Sequence, residues 1–351
     1  MIKKLLAPDS ESEISKNWKM TDNVYISCVC TTFNQEDYIT CAIDSFLAQK
    51  TKYRFEIIIH DDASTDNTRV ILEKYKAKYP NIIRLILQDE NQYSNGNFRP
   101  FIYAASFAQG EYIAICEGDD FWTNAEKLQL QVNELILNKS LNLCFHSSLH
   151  VYNNKTCIGP KYTGGRKISC SDLIVSDLNL CASASMMIRR CVFSDLGFLN
   201  SMSVGDFYLR ILAGQNGAIY IDKEMCAYRV SSQGSWSEKN KNNIQEEANF
   251  TVSFYNELKK FDFYMGSKYQ KEFASLRLRL LVGFIRKPNI PLSCRAEIYN
   301  IDEYPPFLVK FYWQFFYSRW YYSGLYYFGS YIKSLIKGRY KSWILRKSLT
   351  K

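Results

Sequence analysis

Short apolar runs that alternate with helical segments, two of them ending in paired acids, constrain this chain more than any other feature. Val24-Tyr-Ile-Ser-Cys-Val-Cys30, Phe55-Glu-Ile-Ile-Ile-His60, Ile82 to Leu87 and Glu111-Tyr-Ile-Ala-Ile-Cys116 are brief and rich in β-formers. Each predicts a strand. After the first, Ile39, Ala42, Ile43, Phe46 and Leu47 recur at helical spacing. After the second, Ser64-Thr65-Asp66 supplies N-cap chemistry for a helix to about Tyr79, with Pro80 past its end. An Asn- and Gly-bearing loop at 91–97 and a short helix near Phe101–Ala108 lead into the fourth. Strands alternating with helices about every 25–30 residues make βαβ units and a mostly parallel sheet. The runs are apolar throughout rather than alternating, as in strands covered on both faces. The fold class is therefore α/β.

The acids fall where such a sheet binds ligands. Asp61-Asp62 and Glu117-Gly118-Asp119-Asp120 stand at strand ends, and open parallel sheets take ligands outside the carboxyl ends of their strands. Chain order thus lines four carboxylates, Asp61, Asp62, Asp119 and Asp120, along one sheet edge. Acids just past a strand end suit a hard divalent ion beside a diphosphate. They equally suit a solvated turn capping the next helix. Asp61-Asp62 has two readings as well, hydrogen bonding to a base and ribose or capping with Ser64 and Thr65. His60 reads as a strand-end histidine rather than a ligand. Asp206 follows Gly205 and opens an amphipathic helix. It is an N-cap or, near the crevice, a general base.

Farther along, Cys181-Ala-Ser-Ala-Ser185 is a small-residue run, Ala218–Ile221 a short strand, and residues from Ile244 and over 269–286 are helical. The net charge of +9 is a tail property: from Tyr304 onward there is no Asp or Glu, while Lys310, Arg319, Lys333, Lys337 and Arg339 begin a basic series. That tail is crowded with aromatics such as Phe311, Trp313, Trp320 and Tyr326. Membrane contact, packing on the rest of the chain and stacking on nucleic acid share this composition. The reading adopted is membrane contact, without nucleic acid as a partner. Eleven scattered cysteines with no C-x-x-C pair read as reduced structural thiols, and three histidines argue against a His-rich zinc site. No uncharged run reaches the roughly 18 residues of a membrane span. The N-terminal apolar run is too short for a signal peptide. The expected location is the cytoplasm, peripheral on the cytosolic face of the inner membrane.

Together these pieces resemble family 2 glycosyltransferases of the GT-A fold, a large group of mostly bacterial enzymes. The resemblance rests on ISCVCTTFNQEDYITCAIDSFLAQ, EIIIHDDASTDNT, GEYIAICEGDDFWTNAEKLQLQ, ASASMMIRR, VGDFYLRILAGQNGAIYIDKEMCAYRV and QGSWS, in the family's order over residues 24 to about 237. It implies a lead-in at 1–22, a catalytic domain at 23–237, a helical extension at 238–300 and a basic aromatic tail at 301–351.

The resemblance also implies roles. Thr31, Phe33, Asn34, Asp61, Asp62 and Asn91 would hold the nucleotide. Asp119 falls at the metal-binding aspartate of the family's D-x-D signature, and Glu117 replaces its first aspartate, keeping a carboxylate on a longer arm. Asp206 falls where inverting members carry the base. Asp120, Trp122, Ser183, Ser185 and Trp236 would meet donor or acceptor. Where close relatives often show a histidine after Tyr228-Arg229, Ser231 and Ser232 stand instead. The implied reaction is sugar transfer from a nucleotide diphosphate donor, a UDP-sugar by expectation, to a hydroxyl of a glycan or lipid-linked acceptor. It would use Mg²⁺ or Mn²⁺ and invert the anomeric carbon. Two rivals remain: a sugar nucleotidyltransferase, for which TTFNQEDY lacks a Gly-rich basic segment, and a non-enzymatic binding protein of the same fold.

Overall fold

A computed structural model describes residues 2, 4–96, 99–152, 155–230, 232 and 243–285. The tail at 301–351 and Trp236 lie outside the described residues. The chain divides into two units, Met1–Leu280 and Leu281–Lys351, and the site lies in the first.

After α1 (Glu11–Ser15) come β1 (Ile26–Thr32), α2 (Ile39–Leu47), β2 (Phe55–Asp61), α3 (Thr68–Lys78) and β3 (Ile83–Leu87). Next are α4 (Pro100–Ala105), β4 (Tyr112–Ile115), β5 (Phe121–Trp122) and α5 (Lys127–Leu137). Strands β6 (Leu143–Tyr152), β7 (Lys155–Ile158) and β8 (Lys167–Ile168) precede α6 (Cys170–Val175) and β9 (Met187–Arg189). The described chain closes with α7 (Gly205–Ala213), β10 (Ala218–Arg229), α8 (Ile244–Tyr264) and α9 (Gln270–Ile285).

One ten-stranded sheet runs β3-β2-β1-β4-β9-β6-β10-β5, with β7 on β6 and β8 on β10. Its first four strands are parallel, as the alternation predicts. Antiparallel β9 then separates β4 from the parallel pair β6 and β10. The sheet is thus α/β and mixed, its parallel character concentrated in the half that carries the βαβ units.

Strands β1 and β2 are buried almost throughout because both faces are covered. Cys28, Cys30, Ile57 and Ile59 meet Ile39, Ile43, Phe46 and Leu47 of α2 on one side. Val29, Ile58 and Ile113 meet Ala104 and Ala105 of α4 and Phe207, Tyr208 and Leu209 of α7 on the other. Each such side chain contributes about 1.5–3 kcal/mol on burial. The described cysteines are unpaired, most of them buried.

Three local expectations are corrected. The strand expected to end at Cys30 runs on through Thr31 and Thr32, because they pair in register with His60 and Asp61. Ser64 and Thr65 do not cap α3; they bond to Asp61 and Asn34, while Asp66 Oδ1 accepts from the Thr68 N–H at 2.9 Å. The strand expected at 218–221 runs on to Arg229 through a register shift between Ile221 and Cys226.

Helix α8 is capped by Asn243, whose side chain accepts from the N–H groups of Gln245 and Glu246. Its Phe254 and Phe261 pack edge-on against Phe207 and Tyr208 of α7, at 5.5 and 4.7 Å between centroids. No described helix is long and apolar enough to cross a membrane.

Candidate active site

The acidic turn after β4 is built against the end of β1. The Gly118 N–H donates to the Thr31 carbonyl at 2.9 Å. A Cβ at Gly118 would press on the Gln35 side-chain oxygen and the Thr32 hydroxyl, which would have to shift to admit it. Asp120 is fully buried, and its Oδ1 accepts from the Arg229 N–H at 2.8 Å, tying the end of β10 to the turn. The Arg229 guanidinium donates to the Asp119 carbonyl and lies over the rings of Tyr38 and Phe121, at 5.0 and 4.6 Å. Ser232 Oγ donates to Asp119 Oδ2 at 2.5 Å.

Beside this turn opens a cavity of about 450 Å³. Thr31, Glu117, Asp119, Ser183 and Tyr228 line it together with Tyr93, Arg99, Phe101, Asp206 and Phe250. Asp206 sits in the first turn of α7, its Oδ1 accepting from the Phe207 N–H at 2.9 Å. The preceding loop is held from below by Glu257 of α8. Glu257 Oε2 accepts from the Ser203 N–H and Oγ, both at 2.8 Å, and from the Tyr208 hydroxyl at 3.2 Å.

Electrostatically the site is a concentration of like charge. Burial raises the Asp119 carboxyl above its ordinary range, with Ser232 opposing. Burial, then the charges of Asp119 and Glu117, push Asp120 well up. Glu117 is raised by its protein surroundings and then by Asp119 and Asp206. Glu117 is exposed, so solvent reduces both the desolvation and the repulsion behind that rise. Burial raises Asp206 too, while Arg210 and Arg99 pull it back. The Tyr228 phenol is raised by burial and then by all four of these carboxyls.

Among the described residues no three His, Cys, Asp or Glu side chains form a cluster able to hold a metal on protein ligands alone. Magnesium, however, is commonly held by one or two carboxylates with substrate phosphates and water completing its shell. Glu117 and Asp119 offer hard oxygens to one cavity, and a divalent cation would relieve their repulsion. The residues fit such an ion on those terms.

The structure brings Thr31, Glu117, Asp119, Ser183 and Asp206 to one cavity. Asp62 supports it indirectly: its two oxygens accept from the N–H groups of Gln92 and Tyr93 at 2.9 and 3.0 Å, holding the loop that presents Tyr93. Asn91 Oδ1 accepts from the Ser94 N–H within that loop. Asp61 is fully buried and bonded to Ser64, with Arg69 at 3.4 Å. Asn34, at φ +51°, accepts from the Thr65 N–H at 2.7 Å, and Phe33 beside it is exposed.

Asp120, Trp122 and Ser185 do not reach the cavity. All three are fully buried beneath it. Trp122 Nε1 donates to the Ala184 carbonyl at 3.1 Å, its ring under the Lys127 ammonium, and Ser185 Oγ donates to the Ala182 carbonyl. They shape the 182–186 segment from inside. Tyr228, Arg99, Phe250 and Glu257 went unrecognised in the sequence. Only Tyr228 lay next to a recognised motif, and α8 carries no signal of its own for an active site.

The profile of Glycosyl transferase family 2 matches residues 27–197. That segment is a Glycosyl transferase family 2 domain. The match to this glycosyltransferase profile runs from β1 through the acidic turn and ends before Asp206. An uncharacterised protein of Mycobacterium tuberculosis is 36% identical over 214 residues, 60% of this chain and 60% of that protein. WfgD of Escherichia coli, a UDP-Glc:α-D-GlcNAc-diphosphoundecaprenol β-1,3-glucosyltransferase, is 30% identical over 155 residues, 44% of this chain and 56% of its own length. The chain thus spans about 60% of the length of the first curated relatives it matches. Residues 1–349 of Staphylococcus aureus TarS, solved with UDP-GlcNAc, share the fold of this chain at a TM-score of 0.53 and 18% identity. That superposition covers 78% of this chain and 83% of the other.

Proposed function

We propose that the protein transfers a sugar from a nucleotide diphosphate donor, a UDP-sugar, to a hydroxyl of a glycan or lipid-linked acceptor, with inversion. The observation that carries this reading is the joint opening of Glu117, Asp119, Thr31, Ser183 and Asp206 onto one cavity at the carboxyl edge of the sheet. The family 2 domain supports glycosyl transfer as the chemistry. The UDP-Glc-dependent activity of WfgD and the UDP-GlcNAc bound to TarS support a uridine donor.

Thr31, with the loop ordered by Asp62 and Asn91, borders the nucleotide; Asp61, Asn34 and Phe33 shape that edge. Ser183 borders the sugar. Glu117 and Asp119 would hold Mg²⁺ or Mn²⁺, which when bound supplies Lewis-acid stabilisation of the leaving diphosphate. Asp206 accepts the proton of the acceptor hydroxyl as its oxygen bonds to the anomeric carbon and the bond to the diphosphate breaks. Burial raises the affinity of Asp206 for that proton, and Arg210 limits the rise.

Membrane contact by residues 301–351 remains part of the proposal, as does a domain boundary near 237. The test is release of nucleotide diphosphate from UDP-, GDP- and dTDP-sugars with Mn²⁺, then with EDTA. One metal-dependent donor is expected. Asp206→Asn should slow transfer about 10²–10⁴-fold with UDP affinity intact. A panel with no turnover and no UDP binding by calorimetry would refute the proposal.

A further inference from the structure

The cations of the cavity are unequally employed. Arg210 spends its guanidinium on the carbonyls of Asp177, Leu178 and Leu173, at 3.0–3.2 Å. Arg229 is committed to the acidic turn and to two rings. Arg99 is different. Only its Nε is used, donating to the Leu199 carbonyl at 3.2 Å, and its guanidinium lies 5.8 Å from the Tyr93 ring centroid. Among the described residues no carboxylate pairs with it. Its two terminal nitrogens, four N–H donors in a planar fork, are left to the cavity it lines.

Its place relative to the base matters more. A Cβ built on Gly205, the residue before Asp206, would lie 3.0 Å from the Phe101 ring and 3.7 Å from Arg99 Cδ. Arg99 and Phe101 therefore pack beside the base-bearing turn. Phe101, Tyr93 and Phe250 add aromatic surface to the cavity lining, which suits the apolar face of a sugar ring.

The geometry points to an anionic acceptor: a saccharide or polyol bearing a phosphate or carboxylate close to its reacting hydroxyl, with Arg99 gripping that oxyanion and the aromatic surface holding the ring. A guanidinium fork matches such oxyanions bidentately, and a charge-assisted pair in a partly desolvated cavity is among the stronger polar contacts. This inference rests on the transferase reading, because it assigns Asp206 to the acceptor side.

The experiment is calorimetry on the full chain saturated with UDP and Mg²⁺, titrated with glucose, glucose 6-phosphate or glucuronic acid. At least one charged sugar should bind about tenfold or more tightly than glucose, and the choice between phosphate and carboxylate identifies the oxyanion. Arg99→Gln should erase the difference and leave UDP affinity within about twofold; Arg99→Lys should retain part of it. Equal binding of all three sugars would overturn the inference, as would a preference that persists in Arg99→Gln. Loss of UDP binding in a folded Arg99→Gln protein would also overturn it, by making Arg99 a donor ligand. Wild-type protein that binds no UDP would sink the transferase reading separately. The sugar titrations, run without UDP, would then still decide whether Arg99 grips an oxyanion.

Discussion

Glu257→Ala isolates the contribution of a helix beyond the family profile to the site. The substitution removes the acceptor for the Ser203 N–H and Oγ, the Tyr208 hydroxyl and, through Oε1, the Ser253 hydroxyl at 3.1 Å. The two serine hydroxyls can turn to water. The Ser203 N–H and the Tyr208 hydroxyl have less freedom, and Tyr208 is fully buried. A donor left unsatisfied costs about 1–3 kcal/mol. Two of them give about 2–6 kcal/mol, and water entering the space left by the carboxyl reduces this to about 2–4 kcal/mol. For a domain of this size that lowers Tm by about 4–16 °C. Glu257→Gln keeps one acceptor oxygen and the shape, so about 1–2 kcal/mol is expected.

The functional consequence falls on Asp206, three residues beyond the anchored Ser203. A displacement of about 1 Å in a reacting group can reduce turnover 10²-fold. In Glu257→Gln at a temperature where it is folded, kcat should fall by up to that factor while UDP affinity is unchanged. Differential scanning fluorimetry, a transfer assay and UDP calorimetry provide the three readouts. A Glu257→Ala protein with wild-type Tm and kcat would refute the anchoring role. Parallel loss of UDP affinity in the Gln variant would show damage to the whole site instead.

Three further outcomes are expected. Asp62→Ala frees the N–H groups of Gln92 and Tyr93, so limited proteolysis should cut near residues 91–96 faster and UDP Kd should rise about tenfold. Gly118→Ala drives a methyl into Gln35 and Thr32, and a loss of about 1–3 kcal/mol in urea unfolding should accompany reduced turnover. His60, His146 and His150 are all held below their ordinary pKa, chiefly by burial. As pH falls below about 6.5 the unfolded chain takes up these protons before the native one does, so stability is lost. Between pH 7 and pH 5 the histidines therefore lower Tm while the raised carboxyls of Glu117, Asp119, Asp120 and Asp206 act the other way, and His146→Gln should shift the Tm slope toward greater stability at pH 5; an unchanged slope would remove His146 from the account.

Much of the fold was legible because burial on both faces writes itself plainly. Cys28 to Cys30 and Ile57 to Ile59 alternate between two core clusters, which demands apolar residues at every position. The acidic turn was legible because a strand end is a fixed place and few residues can stand there. Where polar side chains carry two readings, sequence was a poorer guide. Asp61 and Asp62 look equivalent, yet one bonds to Ser64 and the other orders the 91–96 loop. Trp122 follows the acids closely but belongs to a short strand that turns its ring inward, under Lys127 and against Phe46. Arg99, Phe250 and Glu257 reach the site by tertiary packing from elements that carry no motif. Ser232 shows the converse, since the departure from a histidine is filled by a hydroxyl donating to Asp119.

The clustering of Glu117, Asp119, Asp120 and Asp206 has an energetic consequence that ligand binding exposes. Their mutual repulsion is present in the native state and largely absent from an unfolded chain, so it opposes folding. A cation that binds Glu117 and Asp119 relieves it and stabilises the native state by RT ln(1 + [L]/Kd), about 2.7 kcal/mol at a hundredfold excess over Kd. Mg²⁺ with UDP should therefore raise Tm by more than the sum of the two separate shifts, because diphosphate oxygens complete a shell that two carboxylates leave open. Asp119→Asn removes one ligand and one repelling charge together. Without ligands this variant should melt at or above the wild-type temperature, and it should lose the extra shift with Mg²⁺ and UDP. A variant less stable without ligands would show that Asp119 is retained for the Ser232 bond. An extra shift that persists would remove Asp119 from the metal site and leave the cation to the diphosphate alone.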